Sequence, residues 1–217
     1  MQNLSFDPLT LVSVFVGFAL IPLLLLITTS FLKIAIVMLI VRNALGVQQV
    51  PPTMALYATA LALSMFIMYP VFDEISNSVN VSAEMYSDRS VLMENIKKAA
   101  GPIKDFMKRH IDPDVLTSFV DTSAEIWPEK YQAQMSRDNF VIMVPSFVVS
   151  EVQSGFKIGF MIYLPLIVID LLVSNLLLAL GMQMVSPMTI SLPLKILLFI
   201  VVDGWEKLLK NLVLGYM

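Results

Sequence analysis

Four charged residues stand alone in long apolar stretches of this sequence: Lys33, Glu151, Asp170 and Lys195. An unpaired charge in such surroundings is costly, so each requires a partner and faces protein rather than lipid. The two acids and one base Glu151, Asp170 and Lys195 are expected to seek one another. Separate pairs with backbone groups or Lys157 are the simpler alternative. Neither arrangement is catalytic. The sequence has no cysteine, which excludes disulfides, thiolate metal sites, iron–sulfur clusters and cysteine nucleophiles. Its one histidine, His110, has no second imidazole with which to build a metal site or a triad. Ser150-Glu151 has no base at a usable spacing, and Asp73-Glu74 lies in a polar stretch and reads as solvated. The scattered glycines make neither a P-loop nor GxGxxG. With net charge −3 and pI near 5.1, there is no polybasic footprint for nucleic acid. We therefore expect no enzyme activity, no cofactor and no metal.

The elements that must hold these charges follow from hydropathy. Of 217 residues, 57% are apolar and 14% charged, against about 25% charged in a soluble domain. Residues 73–138 carry 20 of the 31 charged side chains, twelve acidic and eight basic. This divides the chain into an N-terminal helical hairpin over 1–72, a polar and mainly helical middle segment over 73–138, and a C-terminal broken hairpin over 139–217. Uncharged windows at 8–32, 43–72 and 171–194 each exceed the roughly 20 residues that cross a bilayer. A fourth, 140–169, joins them if Glu151 and Lys157 are tolerated. Hydropathy thus predicts an all-α protein with helices over about 10–42, 51–72, 140–170 and 171–214, the last with a break. Eight of the twelve prolines lie in or beside these runs: Pro22, Pro51, Pro52, Pro70, Pro145, Pro165, Pro187 and Pro193. An interior proline removes a backbone donor and kinks or breaks its helix. In lipid the freed carbonyl then needs a neighbouring helix or a water-lined cavity. Prolines and lone charges together favour a tight helical assembly over a lipid-bathed monomer.

The start, Met1 to Asp7, has no basic residue and carries an acid, so a retained first helix is expected rather than a signal peptide. Arg42 in the turn between the first two helices, set against a net charge of −4 in the middle segment, puts Arg42 inside and that segment outside. Within the segment, Ser90 is positioned to cap a helix through Ala99, with Gly101 past its end and Pro102 opening the next piece. Ile103, Phe106, Met107 and His110 recur at helical spacing. Asp112-Pro113 reads as an N-cap followed by proline at N1, with Val115, Leu116, Phe119 and Val120 as an apolar stripe. Trp127-Pro128 stops that helix.

Several of these stretches carry a family likeness. The run from Arg42-Asn43-Ala44-Leu45-Gly46 to Val50-Pro51-Pro52 resembles the sharp turn of the R-subunit of the type III secretion export gate, the family of flagellar FliP and injectisome SctR proteins. Pro145 to Phe160, containing Ser150-Glu151 and Gly155-Phe156-Lys157-Ile158-Gly159, resembles the family's first signature, and Tyr163 to Leu172 its second. The stretch from Ala179 to Lys195 continues the match, and Asp203-Gly204-Trp205 closes it. The likeness covers about 10–72 and 140–205, in order. Asn43-Ala44-Leu45-Gly46 and the missing signal peptide favour the injectisome branch. Two positions depart from the pattern: Ser146 stands where alanine is usual, and Gln183 interrupts a methionine run.

The resemblance implies a core component of the bacterial export apparatus, forming the inner-membrane pore for unfolded secreted proteins. It implies a homopentamer, joined by small hydrophobic S-subunits and one T-subunit into a helical pseudo-hexamer, with U- and V-type subunits as further partners. The multi-pass helices of such a complex contact membrane lipid and are largely raised toward the periplasm, packed on one another. Met182 and Met184, with Gln183 between them, then form a gate: methionine is soft enough to close around an axis or yield to a passing chain. Flanking Gly181 and Pro187 suit a non-helical loop. Glu151, Asp170 and Lys195 fall at subunit contacts, and Arg42, Pro51 and Pro52 mark the turn, Arg42 as its topology anchor. Two rival readings are a transporter built from broken helices, with Asp170 and Lys195 as midplane groups, and a membrane scaffold without a conduit.

Overall fold

A computed structural model describes residues 19, 22–47, 49–79, 89–132 and 136–217. The described residues contain helices and no strand. In chain order they are α1 (Pro22–Thr28), α2 (Phe31–Ala44), α3 (Thr53–Ser78), α4 (Arg89–His110), α5 (Pro113–Ile126), α6 (Glu129–Gln132), α7 (Phe140–Ala179), α8 (Pro187–Val201) and α9 (Gly204–Leu214). The all-α expectation holds.

α2 is the centre of the molecule. Ile34, Val37 and Val41 are fully buried, and Leu56 and Ala60 of α3, Leu166 of α7 and Leu208 and Leu212 of α9 close around them. α7 reaches α2 through Gly155 and Gly159, four residues apart on one face. A Cβ at Gly159 would lie 2.5 Å from Ile40 Cδ1, and one at Gly155 3.2 Å from Ile36 Cγ2. The missing side chains let the two helices approach as small-residue motifs do in membrane bundles. A second cluster joins Met68 and Val71 of α3, Phe106 and Met107 of α4, and Met143 and Phe147 of α7. The polar middle segment is thereby packed onto the apolar helices.

The local signals for helix ends hold where the chemistry is local. Asp112 caps α5, its carboxylate accepting from the Asp114 amide at 2.9 Å, with Pro113 at the first position, and Trp127 ends the helix. Phe106 and Met107 are buried as their spacing implies, whereas Val115, Leu116, Phe119 and Val120 are only half-buried in the single chain.

Four boundaries differ from expectation. The predicted division at 170/171 does not exist: α7 runs unbroken for 40 residues through Pro145 and Pro165, and the chain turns only after Ala179. The first apolar run is bent by 74° between α1 and α2, not continuous. The break is stabilised from outside: Ser30 Oγ donates to Ser64 Oγ and Ser64 Oγ to Thr29 Oγ1, both at 3.1 Å. The second helix continues beyond Phe72 to Ser78, through Pro70. α4 passes through Gly101 and Pro102 without interruption, and Ser90 lies inside it rather than at its cap. Here tertiary packing outweighs the proline penalty, since Asn95 on one side of Pro102 and Phe106 and Met107 on the other are all buried. The expected start of the first helix near residue 10, and the segment Met1 to Asp7, lie outside the described residues.

α3 and α7 are each long and apolar enough to cross a membrane, and the bent pairs α1–α2 and α8–α9 raise the number to four if each counts as one span. Large apolar side chains remain exposed along α3, the second half of α7 and α8, among them Phe66, Tyr69, Phe160, Leu172, Leu176 and Leu197.

Candidate functional site

The turn between α7 and α8 is built by its glycine. Gly181 has φ +74, a conformation that L side chains rarely adopt. With it the Gly181 amide donates to the Leu178 carbonyl at 3.0 Å and the Met182 amide to that of Leu177 at 2.9 Å. These two bonds terminate α7 by capping its last carbonyls. Pro187, with φ fixed for the first helical turn, starts α8 directly after Ser186. Residues 181–186 are therefore a short non-helical loop, as Gly181 and Pro187 implied. Its side chains point out: Met184 is 100% exposed, Met182 45%, and Gln183 is exposed between them. Leu178, Leu180 and Met188 extend the apolar surface on both sides.

Two ion pairs, one buried on both sides and one on the lysine side, hold the helices that carry this loop. Lys195 of α8 reaches Asp170 of α7 at 2.5 Å and donates to the carbonyl of Ala44, the last residue of α2, at 3.2 Å. One ammonium thus ties three helices and caps the negative end of α2. Lys33 of α2 pairs with Glu151 of α7 at 2.9 Å. Tyr216, beyond α9, donates its hydroxyl to Glu151, and Lys33 Nζ lies 3.8 Å from the centroid of its ring. Phe106 of α4 stacks on Tyr216 with 6.0 Å between centroids, and His110 meets it edge-on at 4.9 Å. Burial, then Lys33 and then Arg109, push the His110 imidazole down to about 4, so it is neutral at pH 7. Arg42 lies in the last turn of α2 rather than in the turn that follows; it donates to the Thr53 hydroxyl at 2.9 Å and to the Pro51 carbonyl at 3.5 Å, while its buried Nε has no hydrogen-bond partner among the described residues. Pro52 precedes α3 directly.

The profile of the FliP family matches residues 14–212. The chain belongs to the FliP family. It is 47% identical over 217 residues to the harpin secretion protein HrcR of Erwinia amylovora, covering all of both chains. Against the Yop proteins translocation protein R of Yersinia pestis it is 43% identical over 210 residues, covering 97% of each. Against the virulence protein YscR of Salmonella typhimurium it is 41% identical over 218 residues, covering 99% of this chain and all of the other. Such proteins are the R-subunits of injectisome type III secretion systems, and this FliP-family chain is a component of that export apparatus.

In this FliP-family protomer the three charges Glu151, Asp170 and Lys195 do not form one network. Glu151 and Asp170 lie 19 positions apart on one continuous helix, roughly 28 Å at about 1.5 Å per residue. Each acid therefore takes its own lysine. The lone charge Lys33 was legible as one that needed a partner; Tyr216, in no motif, was not. The Gly155-x-x-x-Gly159 spacing was the available signal for the α2–α7 contact. Among the described residues, no group of His, Asp or Glu is placed to hold a metal ion.

Proposed function

We propose that this chain is the ring-forming subunit of an inner-membrane gate for unfolded secreted proteins, acting by conduction and not by catalysis. The observation that carries the reading is Met184, wholly exposed with Met182 beside it on a tight turn at the tip of an apolar helix pair. A thioether left entirely in solvent by one chain is explained when copies from several chains meet at an axis. Five copies bring ten such side chains to one collar, narrow enough to exclude water and ions by dewetting, and soft enough to let a polypeptide pass. Gln183 adds a polar ring between the two methionine layers.

The exposed apolar faces of α3, α7 and α8 support burial against sister chains and small hydrophobic S- and T-type subunits, with U- and V-type subunits attached to the assembly. The same faces support a multi-pass inner-membrane protein, and the reading has its assembled form raised toward the periplasm. Asp170, with 43% of its side chain exposed beside a buried Lys195, is the charge available to a neighbouring subunit. The test is membrane conductance: Met182→Ala with Met184→Ala raises ion leak through the inner membrane while the complex still assembles. Unchanged conductance in an assembled double mutant removes the gasket.

A further inference from the structure

α9 is held to the rest of the molecule in an unusual way. It has 11 residues, too few to be stable as a helix on its own; it buries Leu208 and Leu212 against the core, with Trp205 and Leu209 half-buried beside them and the Trp205 ring edge-on to Phe199 next to the bend. On one side it leaves a cavity of about 390 Å³ against Ile158 and Ile162 of α7 and Phe199 of α8. On the other, the residues that follow it border a second cavity of about 360 Å³ against Phe66, Tyr69 and Pro70 of α3. Among the described residues, the polar contacts that fasten α9 and its continuation to other helices are all made by Tyr216. At its other end the helix is joined to α8 through Asp203, a non-glycine residue in the left-handed region at φ 53, with a 60° bend between the helices. The next residue must be small, because a Cβ at Gly204 would lie 2.6 Å from the Phe199 ring.

The same tyrosine closes the Lys33–Glu151 pair. Its hydroxyl occupies a carboxylate oxygen and its ring covers the ammonium, so a charge pair whose side chains are only 9% and 1% exposed is dry because Tyr216 is there. Two roles converge on one side chain: a seal over a buried ion pair and the fastening of a loosely seated helix.

We infer that Tyr216 is a clasp, and that α9 is a movable strap hinged at residues 202–204. With the clasp closed, α9 lies over α2 and the Lys33–Glu151 pair is sealed. With it open, water reaches the ion pair and α9 leaves the groove, pivoting about Asp203, while α8 stays fixed by Lys195 to Asp170 and Ala44. Local opening of this kind draws on the least packed part of a structure.

Amide hydrogen exchange on the full chain in detergent reads this directly. Tyr216→Phe, which keeps the ring and removes the hydroxyl, should speed exchange in residues 204–214 by about ten- to a hundredfold, the scale of one hydrogen bond to a charged group. Tyr216→Ala should speed it further, with α2 and the first half of α7 unchanged in both. As the chain has no cysteine, Leu212→Cys supplies a second readout, its thiol becoming reactive to maleimide in the Tyr216→Phe background and staying protected with Tyr216. Should Tyr216→Ala not fold, Tyr216→Phe carries the test. Unchanged exchange and labelling in Tyr216→Phe overturn the clasp. Equal acceleration in α2 also overturns it, since Tyr216 would then be part of the general core and not the fastening of one helix.

Discussion

The two ion pairs use the same chemistry and differ in one respect. Lys33–Glu151 is closed on every side, by helices α2 and α7 and by the ring and hydroxyl of Tyr216. Lys195–Asp170 is closed on the lysine side alone, and the aspartate stands 43% exposed. Burying two charges costs more than their mutual attraction returns unless every hydrogen-bonding position is used. The closed pair comes nearer to that condition inside one chain, with one Glu151 oxygen taken by Lys33 and the other by Tyr216. In the open pair Lys195 also donates to the end of α2, and Asp170 is left with unused capacity. The first pair organises the protomer, and the second is suited to organising contacts between protomers.

Substitutions that separate the pairs test this distinction. The largest effect is expected from Glu151→Ala, which strands Lys33 in an apolar interior and should destabilise the protomer by about 3–5 kcal/mol. The loss appears in thermal unfolding of the detergent-solubilised chain, and Lys33→Met with Glu151→Met should recover most of it. Failure of that double variant to recover would mean that the pair contributes more than mutual neutralisation. Lys195→Ala comes next: it should lower recovery of the proposed pentamer more than synthesis of the single chain, measured by native mass after mild extraction. Asp170→Asn should cost the isolated protomer about 1 kcal/mol or less, as for a partly exposed pair, yet still reduce pentamer recovery. A loss of protomer stability as large as that of Glu151→Ala would erase the contrast between the pairs.

The smallest effect concerns acid. His110 packs on Tyr216 at the edge of the closed pair, and its folded value of about 4 lies below its ordinary value of 6.5. The unfolded chain therefore takes up this proton first as pH falls. The stabilising contribution is complete above about 6.5 and is lost on descent toward about 4. Because the ring is only half-buried, the loss should stay near 1–2 kcal/mol after solvent screening. Thermal unfolding at pH 7 and pH 5 should show a smaller drop for His110→Phe than for the native chain.

Features set by neighbouring residues were legible in the sequence. Asp112-Pro113, Trp127-Pro128 and the Gly181–Pro187 loop carry their instructions within a few positions, and the structure follows them. Features set by distant packing were not. Pro102 and the 170/171 boundary read as helix breaks, but α4 and α7 run through them, held by contacts that no local pattern encodes. The bend at Thr29–Ser30 depends on a hydroxyl from Ser64, and the fate of Glu151 depends on Lys33 and Tyr216, each in another helix or beyond one. That the lone charges needed partners was physically required; which partner each took was a question of three-dimensional distance.

The glycine-mediated contact of α2 with α7 also sets an order of events during synthesis. Ile36 and Ile40 have no surface to nest against, and Lys33 no counter-charge, until Glu151 and the two glycines have been added. These lie more than a hundred residues downstream. At roughly 5–20 residues per second, the ribosome needs on the order of 6–24 s to supply them. For that interval the nascent N-terminal hairpin carries an unmatched cation in an apolar stretch, until the second half arrives.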